Sequence, residues 1–192
     1  VTLKDGGSKA PPIALWKFDE GSGNTTRDHA NNGNTGTLLG GITWTTDSRS
    51  GYALDFDGTD DKITIPKTKS QDIENEVTLE AWVKRKSNTD GTIISRNGPY
   101  YLAVRNNSVF GGVFTNPGHW KEIGGTTALK QNVWYQLKMV YDGRTIDLYV
   151  DNKLDASAPK TNKLYILSQH PWIGWGEPGQ NQYFTGILDD VA

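Results

Sequence analysis

The chain has 192 residues, a net charge of −2 from 20 Lys and Arg against 22 Asp and Glu, and no cysteine. That length supports one substantial core, so one domain is expected. The near-neutral charge excludes a field strong enough to hold a nucleic-acid backbone or an anionic membrane surface. No apolar run is long enough for a membrane-spanning helix. The lack of cysteine excludes disulfides, thiolate zinc sites and cysteine nucleophiles.

In chain order, "VTLKDGGSKAPP" reads as a linker over residues 1–12, leaving 13–192 as the folded unit. Two acid-bearing turns follow, "FDEGSG" with Asp19 and "RDHANNGN" with Asp28. In "ALDFDGTDDKITIP", Asp55 and Asp57 are alternate residues and share a face if the strand runs through them. Asp60 and Asp61 come after Gly58 and read as a solvated turn. "SQDIENE", Ser70 to Glu76, is the only helical candidate, and it is turn-like.

The dominant period is two. In "EVTLEAWVK", Val77, Leu79, Ala81 and Val83 share one face; "VWYQLKMVY" repeats the pattern with Val133, Tyr135, Leu137, Met139 and Tyr141, and "TIDLYV" with Ile146, Leu148 and Val150. Between them "DGR" is a hairpin turn in which Gly143 takes a positive φ, and "VDNK" supplies the next. Short strands with Gly, Asn and Asp punctuation argue for an all-β antiparallel sandwich.

Aromatic residues interrupt this alternation in three places. "RNGPYY" carries Tyr100 and Tyr101, "TNPGHWK" carries Trp120, and "HPWIGWGEPGQNQYF" carries Trp172 and Trp175 beside Gln182. Loop aromatics next to amides suit sugar recognition, in which rings stack on C–H faces and polar groups take hydroxyls; the other reading is that they pin long loops to the sandwich. A shallow groove is expected from Tyr100, Trp120 and Trp175, with Arg96 and Gln182 as polar partners. His29, His119 and His170 lie in polar loops with no nucleophile to pair with.

Five blocks resemble the laminin G-like branch of the concanavalin A-like lectin/glucanase jelly rolls: "ALWKFDEGSGNTTRDHANNGNTGTLLGGITWT", "GYALDFDGTDDKITIP", "VTLEAWVK", "NVWYQLKMVYDGRTIDLYVD" and "YFTGILDDV". The resemblance implies a jelly roll over 13–192 with Trp16, Trp82 and Trp134 in or near the core. The family's terminal strand usually runs beyond a block such as "LDDV", so either a domain boundary cut close or a last strand truncated at Ala192 is also implied. Related jelly rolls offer oxygens to a structural calcium near the "FDG" position. Carried onto this chain, the ligands are Asp19, Asp57, the Gly58 carbonyl and Asp189, with Asp28 and Asp190 as further donors, an all-oxygen set that suits this ion. Neighbouring Asp57 and Asp189 are implied by adjacent terminal strands.

The superfamily's glucanases usually place two carboxylates at E-x-D spacing, and no Glu here is followed two residues later by Asp. The expectation is therefore a non-catalytic carbohydrate-binding module of a secreted bacterial glycan-active enzyme or surface protein. Its partners are an oligo- or polysaccharide and a covalently attached catalytic or surface domain. No nucleic acid and no membrane insertion are expected. The alternatives are an adhesion, protein-interaction or spacer module and, less favoured, a glycoside hydrolase or polysaccharide lyase.

Overall fold

The computed structural model of the protein describes residues 11–96, 98–176 and 182–192. Of the expected linker, residues 1–10 lie outside the described residues, and Pro11 and Pro12 are exposed. The strands in chain order are β1 (Thr25–Thr26), β2 (Gly36–Leu39), β3 (Thr43–Thr45), β4 (Ala53–Asp57), β5 (Lys62–Thr64), β6 (Val77–Arg85), β7 (Gly91–Arg96) and β8 (Tyr100–Arg105). They continue with β9 (Ser108–Thr115), β10 (His119–Gly124), β11 (Trp134–Tyr141), β12 (Thr145–Val150), β13 (Lys153–Pro159), β14 (Pro171–Ile173) and β15 (Thr185–Asp189). One sheet has the order β1-β2-β5-β14-β7-β8-β9-β10 and the other β13-β12-β11-β6-β15-β4-β3. The expected all-β antiparallel sandwich is the fold.

The period of two builds the core directly. On β6 the inward residues Val77, Leu79, Ala81 and Val83 are buried and alternate with half-buried Thr78, Glu80, Trp82 and Lys84. Leu137, Met139 and Tyr141 on β11 and Ile146, Leu148 and Val150 on β12 complete that wall. Val133 precedes β11 and is exposed, and Tyr135 is half-buried, so the inward pattern starts only at Leu137. Gly143 has φ +80°, and the Asp142 carboxylate accepts the Arg144 and Thr145 N–H groups at 2.8 and 2.7 Å, closing the β11–β12 turn as expected. Asp151 and Asn152 carry the paired positive φ of the next hairpin.

Two expectations change. "SQDIENE" is not a helix: a 3₁₀ turn covers only Lys69–Gln71, and Ile73 then packs against the core. Trp16 is buried, but Trp82 and Trp134 are half-buried on the outside of the seven-stranded sheet. Alternation requires this for Trp82, which sits between inward Ala81 and Val83; Arg49 covers its ring at 4.4 Å. The last of the described strands, β15, is internal to its sheet. β15 lies between β4 and β6, Val191 exchanges backbone bonds with Trp16 at 2.9 and 2.8 Å, and Ala192 does so with Glu80 at 2.9 and 3.0 Å.

β7 and β8 are buried along nearly their whole length. A strand buried on both faces needs a second cover besides the core. Here the segments on either side of residues 177–181 supply it: Ser95 Oγ donates to the Trp175 carbonyl at 2.9 Å, and Thr92 N–H to the Gln182 carbonyl at 3.2 Å. The outer face of the eight-stranded sheet is thereby shaped into a cleft.

Candidate functional site

The acids work mainly as anchors for backbone turns. Asp28 is buried and accepts the N–H groups of Leu15, Ala30, Asn32 and Asn34 and the Asn34 amide, all within 2.9–3.2 Å. Asp189, fully buried, accepts from Arg49 and Ser50 at 2.7 and 3.4 Å and from its neighbour Asp190 at 2.9 Å. Burial pushes its carboxyl up to about 6, and burial likewise raises Asp190. Asp61 clips Gly41 and Asp57 through their N–H groups, and its carboxyl is raised, first by burial and then by repulsion from Asp57 and Asp60.

The ligand set Asp19, Asp57, Gly58 and Asp189 is not one site. β15 does pair with β4, but Thr185 lies opposite Asp57 and Leu188 opposite Leu54, so Asp189 is at the far end of the pair. Four residues along a strand is about 13 Å, too far for one ion's first shell. Asp19 instead accepts the Tyr52 N–H at 3.2 Å, and Asp57 that of Thr59 at 2.7 Å. Among the described residues, three carboxylates meet at Asp57, Asp60 and Asp61, with ligand oxygens within 4.8 Å of one another.

The cleft on the outer sheet face is built from a cross-strand row. Register aligns Trp172 (β14), Ser95 (β7), Tyr101 (β8), Gly112 (β9) and Glu122 (β10), while their neighbours Ile173, Ile94 and Leu102 face the core. Trp120 stacks on Tyr101 with centroids 5.5 Å apart and planes at 14°, and Phe114 lies 6.4 Å away. Gly112 makes room for this stack, because a Cβ there would lie 2.6 Å from Tyr101 Cε1 and 2.9 Å from Trp120 Cζ2. Trp120, two residues before Glu122 on β10, keeps 41% of its surface exposed.

Polar groups converge beside the rings. Arg105 lies over Tyr101 at 5.1 Å and donates to Glu122 Oε2 at 2.7 Å and Gln182 Oε1 at 3.0 Å; the Tyr101 hydroxyl also donates to Glu122. Together with Thr92 and Ser95 they line a cleft of about 130 Å³. Along the same face, Trp175 packs edge-on to Trp172 at 4.9 Å, and the Lys62 ammonium sits 5.0 Å over Trp175 and 5.9 Å over Tyr183. A second, mostly apolar pocket of about 330 Å³ opens between the sheets at Trp16, Leu79, Ile94 and Tyr100. Core side chains line it together with exposed Pro11, Pro12 and Ile13 and the polar Gln71, Glu76 and Glu80, and among the described residues no pair of stacked rings borders it.

Trp120 and Gln182 thus border one cleft, with Trp175 packed at its side. Two expected members are displaced by one face or one strand position. Tyr100 and Tyr101 are consecutive strand residues; Tyr100 borders the cleft but packs into the core, where burial raises its phenol, and Tyr101 meets Trp120. Arg96 borders the cleft, but its side chain is fully buried and tied to the Gln71, Gln169 and Leu167 carbonyls and to Asp72 Oδ1 at 2.8 Å. Arg105 is the guanidinium that reaches the rings. The sequence pointed to Tyr101 among the interrupting aromatics but not as the groove ring, and it gave no hint of Arg105, Gly112 and Glu122; the i, i+4 spacing of Tyr101 and Arg105 on one strand was the available signal. Trp120 and Tyr100 also prove to be strand rather than loop residues.

The family model of the concanavalin A-like lectin/glucanases superfamily matches residues 57–192. No curated protein matches the chain in sequence. Among solved structures, the binding domain of Paraclostridial Mosquitocidal Protein 1 superposes with a TM-score of 0.74 at 13% identity, over 93% of this chain and 47% of that one. The botulinum neurotoxin serotype G binding domain gives 0.74 at 14%, over 93% and 46%. The chain therefore spans about half the length of these toxin domains. Domain 4 of AbnA, an extracellular arabinanase of Geobacillus stearothermophilus solved with arabinotriose, gives 0.70 at 18%, over 93% and 89%. At these identities the likeness is one of fold.

Proposed function

The chain belongs to the concanavalin A-like lectin/glucanase superfamily, and we propose that it is a non-catalytic carbohydrate-binding module whose site is the outer cleft of the eight-stranded sheet. The observation that carries this reading is the exposed Trp120 ring stacked on Tyr101 beside Arg105, Glu122 and Gln182. An aromatic platform offers stacking of about 1–3 kcal/mol per ring by analogy with base stacking. Millimolar binding needs only about 4 kcal/mol, so two rings and a few hydrogen bonds suffice. A module this weak acts by raising the local concentration of an attached domain at a polysaccharide.

Three further points support the reading. The arabinanase domain is a module of a larger extracellular enzyme and holds an oligosaccharide, which favours a secreted home and a glycan ligand here. Glycoside hydrolysis needs two opposed carboxylates. Among the described residues lining the cleft the carboxylate is Glu122, already engaged by Arg105 and Tyr101. A structural calcium belongs to this reading only at the Asp57, Asp60 and Asp61 turn, and sugar binding does not pass through it.

The test is a fluorescence titration with a panel of oligosaccharides on the parent and on Trp120→Ala. Saturable binding that weakens at least about tenfold in the variant is expected from loss of one stacking ring. Full-strength binding by Trp120→Ala would place the site elsewhere. If no glycan binds, the assignment moves to a protein-interaction module.

A further inference from the structure

Around this cleft the hydrogen-bonding capacity is out of balance. Three buried side-chain atoms among the described residues have no hydrogen-bond partner, all of them N–H donors, and two belong to Arg105 and Trp175 at the groove. Both atoms are enclosed within the fold, and they mark the excess of donors along this lining. Lys62 adds a cation: its ammonium is held over Trp175 and Tyr183 and makes no ion pair among the described residues. Against these, the cleft lining presents Glu122, whose charge Arg105 already meets at 2.7 Å. Among the described residues, this face therefore offers more donors and positive charge than acceptors and negative charge, although the chain as a whole carries −2.

We propose that the groove selects anionic glycans, whose acid groups lie against Lys62 and Arg105 while Trp120 and Trp175 stack on the sugar rings. This rests on the carbohydrate-binding reading above. Lys62 is on β5 and Arg105 on β8, three strand spacings apart in the order β5-β14-β7-β8, or about 14 Å between strand axes. A single sugar does not bridge that interval. The ligand is an oligomer carrying acid groups on separate units, and its charge-assisted bonds are stronger than neutral ones. Uronate carboxylates and sulfate esters share this chemistry.

Paired ligands separate charge from ring shape. Calorimetry on the full chain would use tetramers of galacturonate and mannuronate with their methyl esters, a sulfated galactan tetramer with its desulfated form, and neutral arabino-, xylo- and gluco-oligosaccharides. In at least one pair the charged member should bind about tenfold tighter than its uncharged partner. That ratio should collapse between about 0.05 and about 0.5 M salt, because screening shortens the reach of exposed charges. It should also narrow in Lys62→Gln, whose melting temperature checks that the fold is intact. The pair that responds identifies carboxylate or sulfate as the acid group. Uncharged members binding as tightly as charged ones, a ratio untouched by Lys62→Gln, or binding confined to the neutral sugars would overturn the inference and leave the module reading standing. Silence from the whole panel would remove both.

Discussion

At residue scale the site depends on one absent side chain. Gly112 lies under the Tyr101–Trp120 stack, and a Cβ there would overlap both rings. Gly112→Ala should tilt or displace Trp120 and weaken glycan binding, with a stability loss of about 1–3 kcal/mol from overpacking. Unchanged affinity in a folded Gly112→Ala protein would show that the stack is not the platform. Asp189 gives a second prediction. Its carboxyl is pushed up to about 6 from an ordinary value near 3.8, so the folded state takes up a proton that the unfolded chain releases. The contribution is fully present below the unfolded value and is lost as pH rises through the folded one. The parent should therefore gain on Asp189→Asn as pH falls from about 7 to about 4, by roughly 2 kcal/mol, in paired denaturation curves. A constant difference across that window would contradict the shift.

At the scale of elements, Arg96 joins three pieces of chain. From β7 it holds the 3₁₀ turn through Gln71 and Asp72 and the segment before β14 through Leu167 and Gln169. Arg96→Met should destabilise by about 3 kcal/mol or more, since it strands buried carbonyls, and Arg96→Lys should not restore the loss because an ammonium cannot span the fork. A folded, fully stable Arg96→Met protein that fails to bind sugar would instead make Arg96 a ligand contact. The turn after β4 is tested by calcium: if Asp57, Asp60 and Asp61 hold the ion, saturating calcium raises the melting temperature, a chelator reverses it, and Asp60→Asn abolishes the response. A transition unmoved by calcium or chelator removes the ion from the account.

The same elements show what the sequence made legible. β6, β11 and β12 could be read outright because one face is core and the other is not, and period two reports that contrast. β7 and β8 are covered on both faces, so "YYLAVR" carries no contrast to say which tyrosine turns outward. That is why Tyr100 stood in for Tyr101, and Arg96 for Arg105. The calcium ligands failed for a different reason. Strand pairing follows from family order, but register does not, and a shift of four positions decides whether Asp57 and Asp189 meet. Asp28, Asp61 and Asp189 all occur in turn-rich acidic sequence, where a backbone anchor and a metal ligand look alike until the N–H donors are located.

At the scale of the whole molecule, the two outer faces are unequal. The seven-stranded sheet also displays tryptophans, Trp82 and Trp134, but Arg49 covers the first and Asp47 Oδ1 accepts from the second at 3.4 Å, so both are engaged within the fold. The eight-stranded sheet keeps Trp120 open above a cleft. The central claim is that sugar enters on that face, and the chain's seven tryptophans report on it directly. The measurement is a ¹⁵N–¹H spectrum of the indole N–H groups during titration with a bound oligosaccharide. The account predicts shifts at Trp120 and Trp175 with Trp16, Trp82 and Trp134 unmoved. Shifts at Trp82 and Trp134 with Trp120 silent would contradict it.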